Sequence, residues 1–186
     1  FWANILSLSE NTMKNELADA VRNANTDALT KVKSSNAYSK RISEINRELK
    51  ENPSKEVGIV ICDCDNLKGV NDTYGHATGD TYIINCCKII CDVFSHSPVY
   101  RIGGDEFLVI LQNKDLREHQ YLLKKLEITV NESSKIPTVE EGKACISFGM
   151  ALYDRRIDEN LTNTCRRADA EMYKIKQIHH NENNNI

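Results

Sequence analysis

The feature that most constrains the fold is a pair of strand-forming segments separated by two adjacent glycines. The segments VYRI (99–102) and EFLVIL (106–111) are rich in β-branched and aromatic residues, and Gly103-Gly104 lies between them. Two such runs joined by a short glycine-containing turn predict a β-hairpin. Two acidic residues follow the glycines directly, so the hairpin carries carboxylates at its turn.

The elements around this hairpin indicate an α+β domain. After two N-terminal helices, hydrophobic periodicity predicts the order strand, helix, two hairpin strands, helix, strand and helix. The first six of these elements match the split β-α-β unit of a ferredoxin-like fold, which predicts a central, mostly antiparallel sheet flanked by helices, here expected on one face. Outside the hairpin, the elements after the first helix are predicted at 36–50, 57–65, 79–94, 116–131, 144–152 and 160–178, with polar loops at 66–80 and 132–143.

Two terminal segments are expected to lie outside the globular domain, which we predict to span residues 26–181. Residues 1–25 carry a short heptad-like apolar stripe, which favours a connector helix from an upstream module. A helix that packs on its own domain is the alternative. Residues 182–186 are predicted to be a polar tail. Because the chain begins at Phe1 rather than Met, we expect it to be part of a longer protein.

The composition excludes several classes of protein. A net charge of −3 over 186 residues gives no broad basic surface for nucleic acid. No apolar run is long enough for a membrane-spanning helix. Seven cysteines without a CxxC pair indicate small buried side chains in a reducing compartment rather than a disulfide framework, and a metal site built from some of them is the alternative. These features, together with the start at Phe1, predict a cytoplasmic domain of a longer protein that is multidomain or membrane-anchored.

Carboxylates cluster at two neighbouring strand ends. Asp63 and Asp65 end the first strand, which is central in this topology, and Asp105 and Glu106 lie in the adjacent hairpin. Carboxylates forced together repel each other unless a cation lies between them, and hard oxygen ligands suit Mg²⁺. The neighbouring glycines would let a phosphate group approach the backbone. A tight turn with solvated acidic side chains is the alternative.

Four segments are similar in order and spacing to those of the GGDEF-domain diguanylate cyclases. The resemblance covers about residues 26–181 and implies a palm-like nucleotidyl cyclase fold. Members of this family join two GTP molecules into cyclic di-GMP and release two pyrophosphates, with one GTP in each of two facing domains. A homodimer driven by an upstream sensor module is therefore implied. The segments are DALTKVKSSNAY (27–38), DCDNLKGVNDTYGHATGD (63–80), RIGGDEF (101–107) and RADAEMYKIK (167–176).

The resemblance implies a metal and catalytic set that agrees with the chemistry of the residues. Asp63, the backbone carbonyl of Cys64 and Asp105 would hold Mg²⁺, with Mn²⁺ as a substitute. Asp105 or Glu106 would take the proton from the attacking 3′-hydroxyl, and the sequence does not separate ligand from base. Lys68 would stabilise the charge that develops on the phosphates.

The resemblance also implies the residues that bind GTP. Asp80 would accept hydrogen bonds from N1–H and the 2-amino group of guanine. Adenine has an acceptor at N1, so this carboxylate favours GTP over ATP. A helix cap is the alternative role for Asp80. The complete substrate-binding set is Asn71, His76, Asp80, Gly103, Gly104 and Lys176.

The chain departs from the family pattern at three places. Ser34-Ser35 replace the usual Asn-Arg, and His179-His180-Asn181 stand where Gly-Arg-Asn is usual. Since a histidine is mostly neutral at pH 7, His180 is expected to grip a triphosphate less well than arginine. Phe94 and Ser97 occupy the positions of an Arg-x-x-Asp inhibitory product site, so we expect this site to be absent.

These features favour an active diguanylate cyclase over two rivals. The first rival is a non-catalytic GTP-binding regulatory domain, for which the departures leave room. The second is a different nucleotide cyclase or a polymerase-like palm, against which Asp80 and the spacing over 63–80 argue.

Overall fold

A four-stranded antiparallel sheet with helices packed against it forms the body of the protein. The computed structural model describes residues 2–133 and 145–183, and the side chains of residues 12–133 and 145–179. The strands are β1 (Gly58–Cys64), β2 (Val99–Arg101), β3 (Glu106–Leu111) and β4 (Ile146–Leu152). The helices are α1 (Trp2–Ala24), α2 (Ser35–Glu51), α3 (Leu67–Tyr74), α4 (His76–Val93), α5 (Asn113–Arg117), α6 (His119–Ser133) and α7 (Leu161–Asn183).

The order of the strands confirms the predicted α+β, ferredoxin-like class. The sheet runs β2-β3-β1-β4, and each neighbouring pair is antiparallel. β2 and β3 form the predicted hairpin, with Val99 opposite Val109. β1 lies between β3 and β4, so the carboxyl end of β1 is next to the start of both neighbours. This arrangement brings the first strand and the hairpin turn to one edge of the sheet.

Helices cover both faces of the sheet, so the expectation of helices on one face is wrong. On one face, Val60 and Cys62 of β1 pack in a core with α4 and α6. On the other face, Ile59 and Ile61 pack with α2 and α7. Alternate residues of a strand point to opposite faces, and the apolar run of β1 is continuous, which is typical of a strand buried on both sides.

Several predicted boundaries are also wrong. Residues 66–80 are not a loop, because α3 and the start of α4 occupy most of that segment. Gly75, at a φ of 86°, separates the two helices in a backbone conformation that favours glycine. α7 continues to Asn183, past its predicted end at 178 and into the predicted tail. The rest of that tail, and all but the first two residues of the predicted loop 132–143, lie outside the described residues.

α1 presents apolar side chains to solvent. Met13 and Leu17 are each 66% exposed, and Val21, one turn further on, is 49% exposed. A helix that packed on its own domain would bury such a stripe. These three side chains of α1 therefore lie outside the described core of the domain.

Candidate functional site

The carboxyl end of β1 and the start of β3 bring three acidic residues together. Asp63 lies directly opposite Glu106 in the antiparallel register. The N–H of Cys64 donates to the carbonyl of Asp105 over 3.0 Å, which ties the two segments together. Because β1 is an interior strand of the sheet, Asp63 is buried, whereas Asp105 and Glu106 are half-buried. The predicted metal and catalytic carboxylates therefore share one edge of the sheet.

Lys176 reaches this edge from α7. Its Nζ lies 2.7 Å from Oδ1 of Asp63. The lysine arrives there because α7 lies directly on β4, where a Cβ at Gly149 would be only 2.1 Å from the backbone N of Met172. Burial disfavours the charge on Lys176, but the hydrogen bond and charge of Asp63, with Asp65 and Asp105, hold the lysine pKa above its ordinary value.

The carboxylates at this edge are crowded electrostatically. Burial raises the pKa of Asp63, Lys176 opposes this, and the charges of Asp105 and Asp65 raise it further. Burial also raises the pKa of Glu106, followed by the charges of Asp63 and Asp105. Burial is the larger cause in both cases, and the neighbouring carboxylates add to it beside the single lysine. The oxygen donors suit a hard divalent cation, which would relieve the repulsion.

Arg101 holds the glycine turn in place. Its Nε and Nη2 donate to the carbonyl of Gly104 over 3.1 and 2.6 Å, and its Nη1 donates to Oδ1 of Asp27 over 3.1 Å. Arg101 thereby braces the hairpin, and its carboxylate partner is Asp27 rather than a residue of the acidic edge. A Cβ at Gly104 would meet nothing within 4 Å, whereas a Cβ at Gly103 would lie 2.6 Å from Oε2 of Glu106.

The predicted guanine-binding residues lie on α3 and α4. The side chain of Asn71 packs against the start of α4, so closely that a Cβ at Gly79 would be 1.9 Å from Asn71 Oδ1. Asp80 is the next residue and is exposed. α4 begins at His76 with Gly75 as its N-cap, so Asp80 does not cap the helix. Asn71 therefore contacts α4 at Gly79, the residue that precedes Asp80.

The two remaining predicted residues, Lys68 and His76, are both exposed. Lys68 lies in the first turn of α3, close in sequence to the acidic end of β1. His76 is the first residue of α4. The structure thus groups the acidic residues with Lys176, packs Asn71 against the helix that carries Asp80, and leaves Lys68 and His76 exposed on these two helices.

The sequence interpretation missed a second polar cluster beside this edge. Asp65 contacts Cys145, Ser147 and His179, which come from the start of β4 and the end of α7. Burial alone would raise the pKa of Asp65, but hydrogen bonds from His179, Ser147 and Cys145 hold it below its ordinary value. The second aspartate of the DCD segment was the available signal, since a charged residue at a buried strand end needs partners.

The fold and these contacts define a palm-like α+β domain with an acidic edge beside a bare glycine turn. The chain belongs to the GGDEF family, because the family model described as "Diguanylate cyclase, GGDEF domain" matches residues 24–182. This confirms the resemblance that the sequence motifs indicated. Within the described residues, no helix is long and apolar enough to cross a membrane.

Individual relatives agree with this assignment. The chain is 32% identical to a cyclic di-GMP phosphodiesterase, PdeR of Escherichia coli, over 83% of this chain and 23% of that protein. It is 28% identical to diguanylate cyclase A of Treponema denticola, over 94% of this chain and 47% of that protein. The chain therefore spans less than half the length of these curated relatives.

Solved structures share the fold. The coiled coil and GGDEF domain of DgcB from Caulobacter crescentus, solved in complex with c-di-GMP, superimposes with a TM-score of 0.80 at 24% identity, over 92% of this chain and 90% of that one. The GGDEF domain of DgcB alone, also in complex with c-di-GMP, gives 0.71 at 26% identity, over 83% and 91%.

Proposed function

We propose that the chain is a diguanylate cyclase domain that joins two GTP molecules into cyclic di-GMP and releases two pyrophosphates. The observation that carries this proposal is the grouping of Asp63, Asp105 and Glu106 at one sheet edge, with Lys176 and the bare turn beside them. Residues 26–181 would form the catalytic domain, and residues 1–25 would connect it to an upstream sensor.

The acidic edge fits the divalent metal that the family implies. Asp63, Asp105 and the backbone carbonyl of Cys64 would hold Mg²⁺, with Mn²⁺ as a substitute, because all three offer hard oxygen donors. A metal bound there neutralises charge on the phosphates during transfer. Lys176 would leave Asp63 for a phosphate oxygen when GTP binds. Lys68, exposed on α3, would contact the phosphates as well.

Each half of the reaction joins two nucleotides held by different copies of the domain. The 3′-oxygen of one GTP forms a bond to the α-phosphorus of the other, the bond from that phosphorus to the bridging oxygen breaks, and pyrophosphate leaves. The 3′-hydroxyl proton passes to Asp105 or Glu106.

Guanine would bind where α3 meets α4. Asp80 would accept from N1–H and the 2-amino group, and Asn71 would bond the same base from the adjacent helix. His76 would lie near the base or ribose. An Asp80→Ala variant should lose GTP affinity and discriminate less against ATP, since the N1–H and 2-amino donors of guanine would then lack this acceptor.

The apolar face of α1 supports a homodimer. Its exposed side chains, Met13, Leu17 and Val21, recur every four residues on one side of the helix. Pairing with the same face of a second copy would bury them and hold two half-sites at high effective concentration.

A GTP-binding regulatory domain without turnover is the second candidate. The observation that favours it is His179-His180 in place of the usual Gly-Arg, which removes a permanent cation from the phosphate region. The side chain of His180 lies outside the described residues. The relative PdeR, named as a phosphodiesterase, also shows that not every related chain is named as a cyclase.

Product analysis separates these candidates. The purified chain is incubated with GTP and Mg²⁺, and the products are resolved by chromatography. We expect cyclic di-GMP from the wild type and none from Asp105→Ala, whose folding is checked by circular dichroism. GTP binding without turnover at high protein concentration would instead support the regulatory role.

A further inference from the structure

A second metal-ligand cluster lies beside the acidic edge and is built from three distant parts of the chain. Cys145 Sγ is 3.3 Å from Oδ2 of Asp65 and 3.8 Å from Nδ1 of His179, and that Nδ1 is 2.9 Å from the same carboxylate oxygen. Asp65 is buried, and Cys145 and His179 are half-buried. Thiol, imidazole and carboxylate groups thus converge on one point.

The spacing of these three atoms matches a single tetrahedral ion. The point in their plane that is equidistant from them lies about 2 Å from each, so an ion displaced slightly to one side of this plane would lie at the bond lengths that zinc makes with nitrogen, oxygen and sulfur. An ion could therefore bond all three with only small adjustments. The donor set also selects the metal, since thiolate and imidazole suit zinc, whereas Mg²⁺ prefers oxygen alone.

The backbone fixes two of the ligands relative to each other. The hydroxyl of Tyr82, buried on α4, donates to the carbonyl of Asp65 over 2.7 Å and accepts from the N–H of Cys145 over 3.1 Å. The N–H of Asp65 also donates to the carbonyl of Cys145 over 2.9 Å. Such preorganisation lowers the entropy lost when an ion binds.

Ser147 supplies the outer support that metal-bound carboxylates usually have. Its hydroxyl donates to the carboxylate of Asp65, with oxygen separations of 2.9 and 2.8 Å. The same hydroxyl lies 3.0 Å from Nδ1 of His179, a contact that an ion bound to this nitrogen would replace, so Ser147 would support Asp65 rather than His179. Partners of this kind orient a ligand and raise its affinity for metal.

We propose that Asp65, Cys145 and His179 bind one zinc ion, separate from the Mg²⁺ site of Asp63 and Asp105. Binding would release the thiol proton of Cys145 to solvent, and water would fill the fourth position. The ion would tie the end of α7 to β1 and β4. Because α7 also carries Lys176, zinc would restrain the lysine that reaches Asp63. This proposal does not depend on whether the domain turns over GTP.

Metal titration of the full chain tests the site. The protein is treated with a chelator, reduced, and titrated with zinc in competition with a chromophoric chelator, and with Co²⁺ as a spectroscopic probe. We expect one zinc per chain, a rise in Tm on zinc addition, and Co²⁺ spectra with thiolate charge-transfer and tetrahedral bands. Cys145→Ser and His179→Ala should each remove the Co²⁺ bands and weaken zinc binding by more than about 100-fold.

Matched control variants test whether zinc binding is specific to the cluster of Asp65, Cys145 and His179. Cys91→Ser alters the other half-buried cysteine, and Asp105→Ala alters the Mg²⁺ site, and both should bind zinc like the wild type. Ser147→Ala should weaken zinc binding about 10- to 100-fold, as the loss of an outer partner usually does.

Three results would overturn the proposal. The first is a wild type that does not bind zinc and whose Tm does not rise on zinc addition, which would leave hydrogen bonding as the role of the cluster. The second is zinc binding that survives both ligand variants. The third is loss of zinc in Cys91→Ser or Asp105→Ala with retention in Cys145→Ser.

Discussion

The Gly104→Ala variant tests whether position 104 needs glycine for its backbone conformation or for close approach of the ligand. A Cβ at this position would meet nothing within 4 Å, and the φ of Gly104 does not lie in the positive region that requires glycine. The carbonyl that Arg101 binds is also retained. The variant should therefore fold normally, and its free energy of unfolding should be unchanged or higher by about 0.4–1 kcal/mol, because alanine restricts the unfolded chain.

The same methyl group should obstruct the nucleotide. If the triphosphate lies against the bare turn, the methyl intrudes on a close contact, at an expected penalty of about 1–3 kcal/mol. That penalty corresponds to about a 5- to 150-fold loss of GTP affinity. Calorimetry with GTP and a divalent metal that supports binding but not turnover measures the affinity, and urea unfolding measures the stability.

Two outcomes would refute this reasoning. An affinity within twofold of the wild type would mean that the nucleotide does not approach the turn closely. A large loss of stability would mean that the hairpin itself needs glycine at position 104, in disagreement with the open space seen there.

Three further predictions concern stability and regulation. Gly149→Ala should lower the free energy of unfolding by at least about 1–3 kcal/mol in urea, because its Cβ would lie 2.1 Å from the backbone of α7 and push the helix off the sheet. Burial opposes ionisation of Asp158, but hydrogen bonds, led by the one from Arg167, hold its pKa below 3.8. The stability that Asp158 contributes is therefore complete above about pH 4 and is lost as the pH falls through the lower pKa of the folded state. Arg167→Met should weaken this acid dependence, which urea unfolding at a series of pH values measures. Calorimetry should detect no cyclic di-GMP binding at residues 94–97, and a crystal with the product seated there would contradict this.

The topology and the acidic edge could be predicted from the sequence because both follow from local patterns. The glycine pair marked the hairpin turn, and the buried run of β1 ended in aspartates, so their proximity followed from the strand order. The same run, apolar at every position from 57 to 62, also carried the signal for helices on both faces, since a one-sided strand would alternate with polar residues.

The rest could not be predicted because it depends on contacts between distant segments. Residues 66–80 are polar and contain glycines, so their propensity favoured a loop, yet packing of Asn71 against Gly79 holds two helices there. The cluster of Asp65, Cys145 and His179 joins residues 80 and 114 positions away from Asp65. No local sequence pattern predicts contacts over such separations.

The dependence of the rate on protein concentration tests the central claim most directly. The initial rate of cyclic di-GMP formation per chain is measured at saturating GTP and Mg²⁺ over a wide range of protein concentrations. If two copies each supply half of the reaction centre, the rate per chain should rise with concentration and then level off as the dimer fills. A rate per chain that stays constant and non-zero at concentrations where light scattering finds only monomer would contradict the account, as would the absence of product at concentrations where it finds dimer.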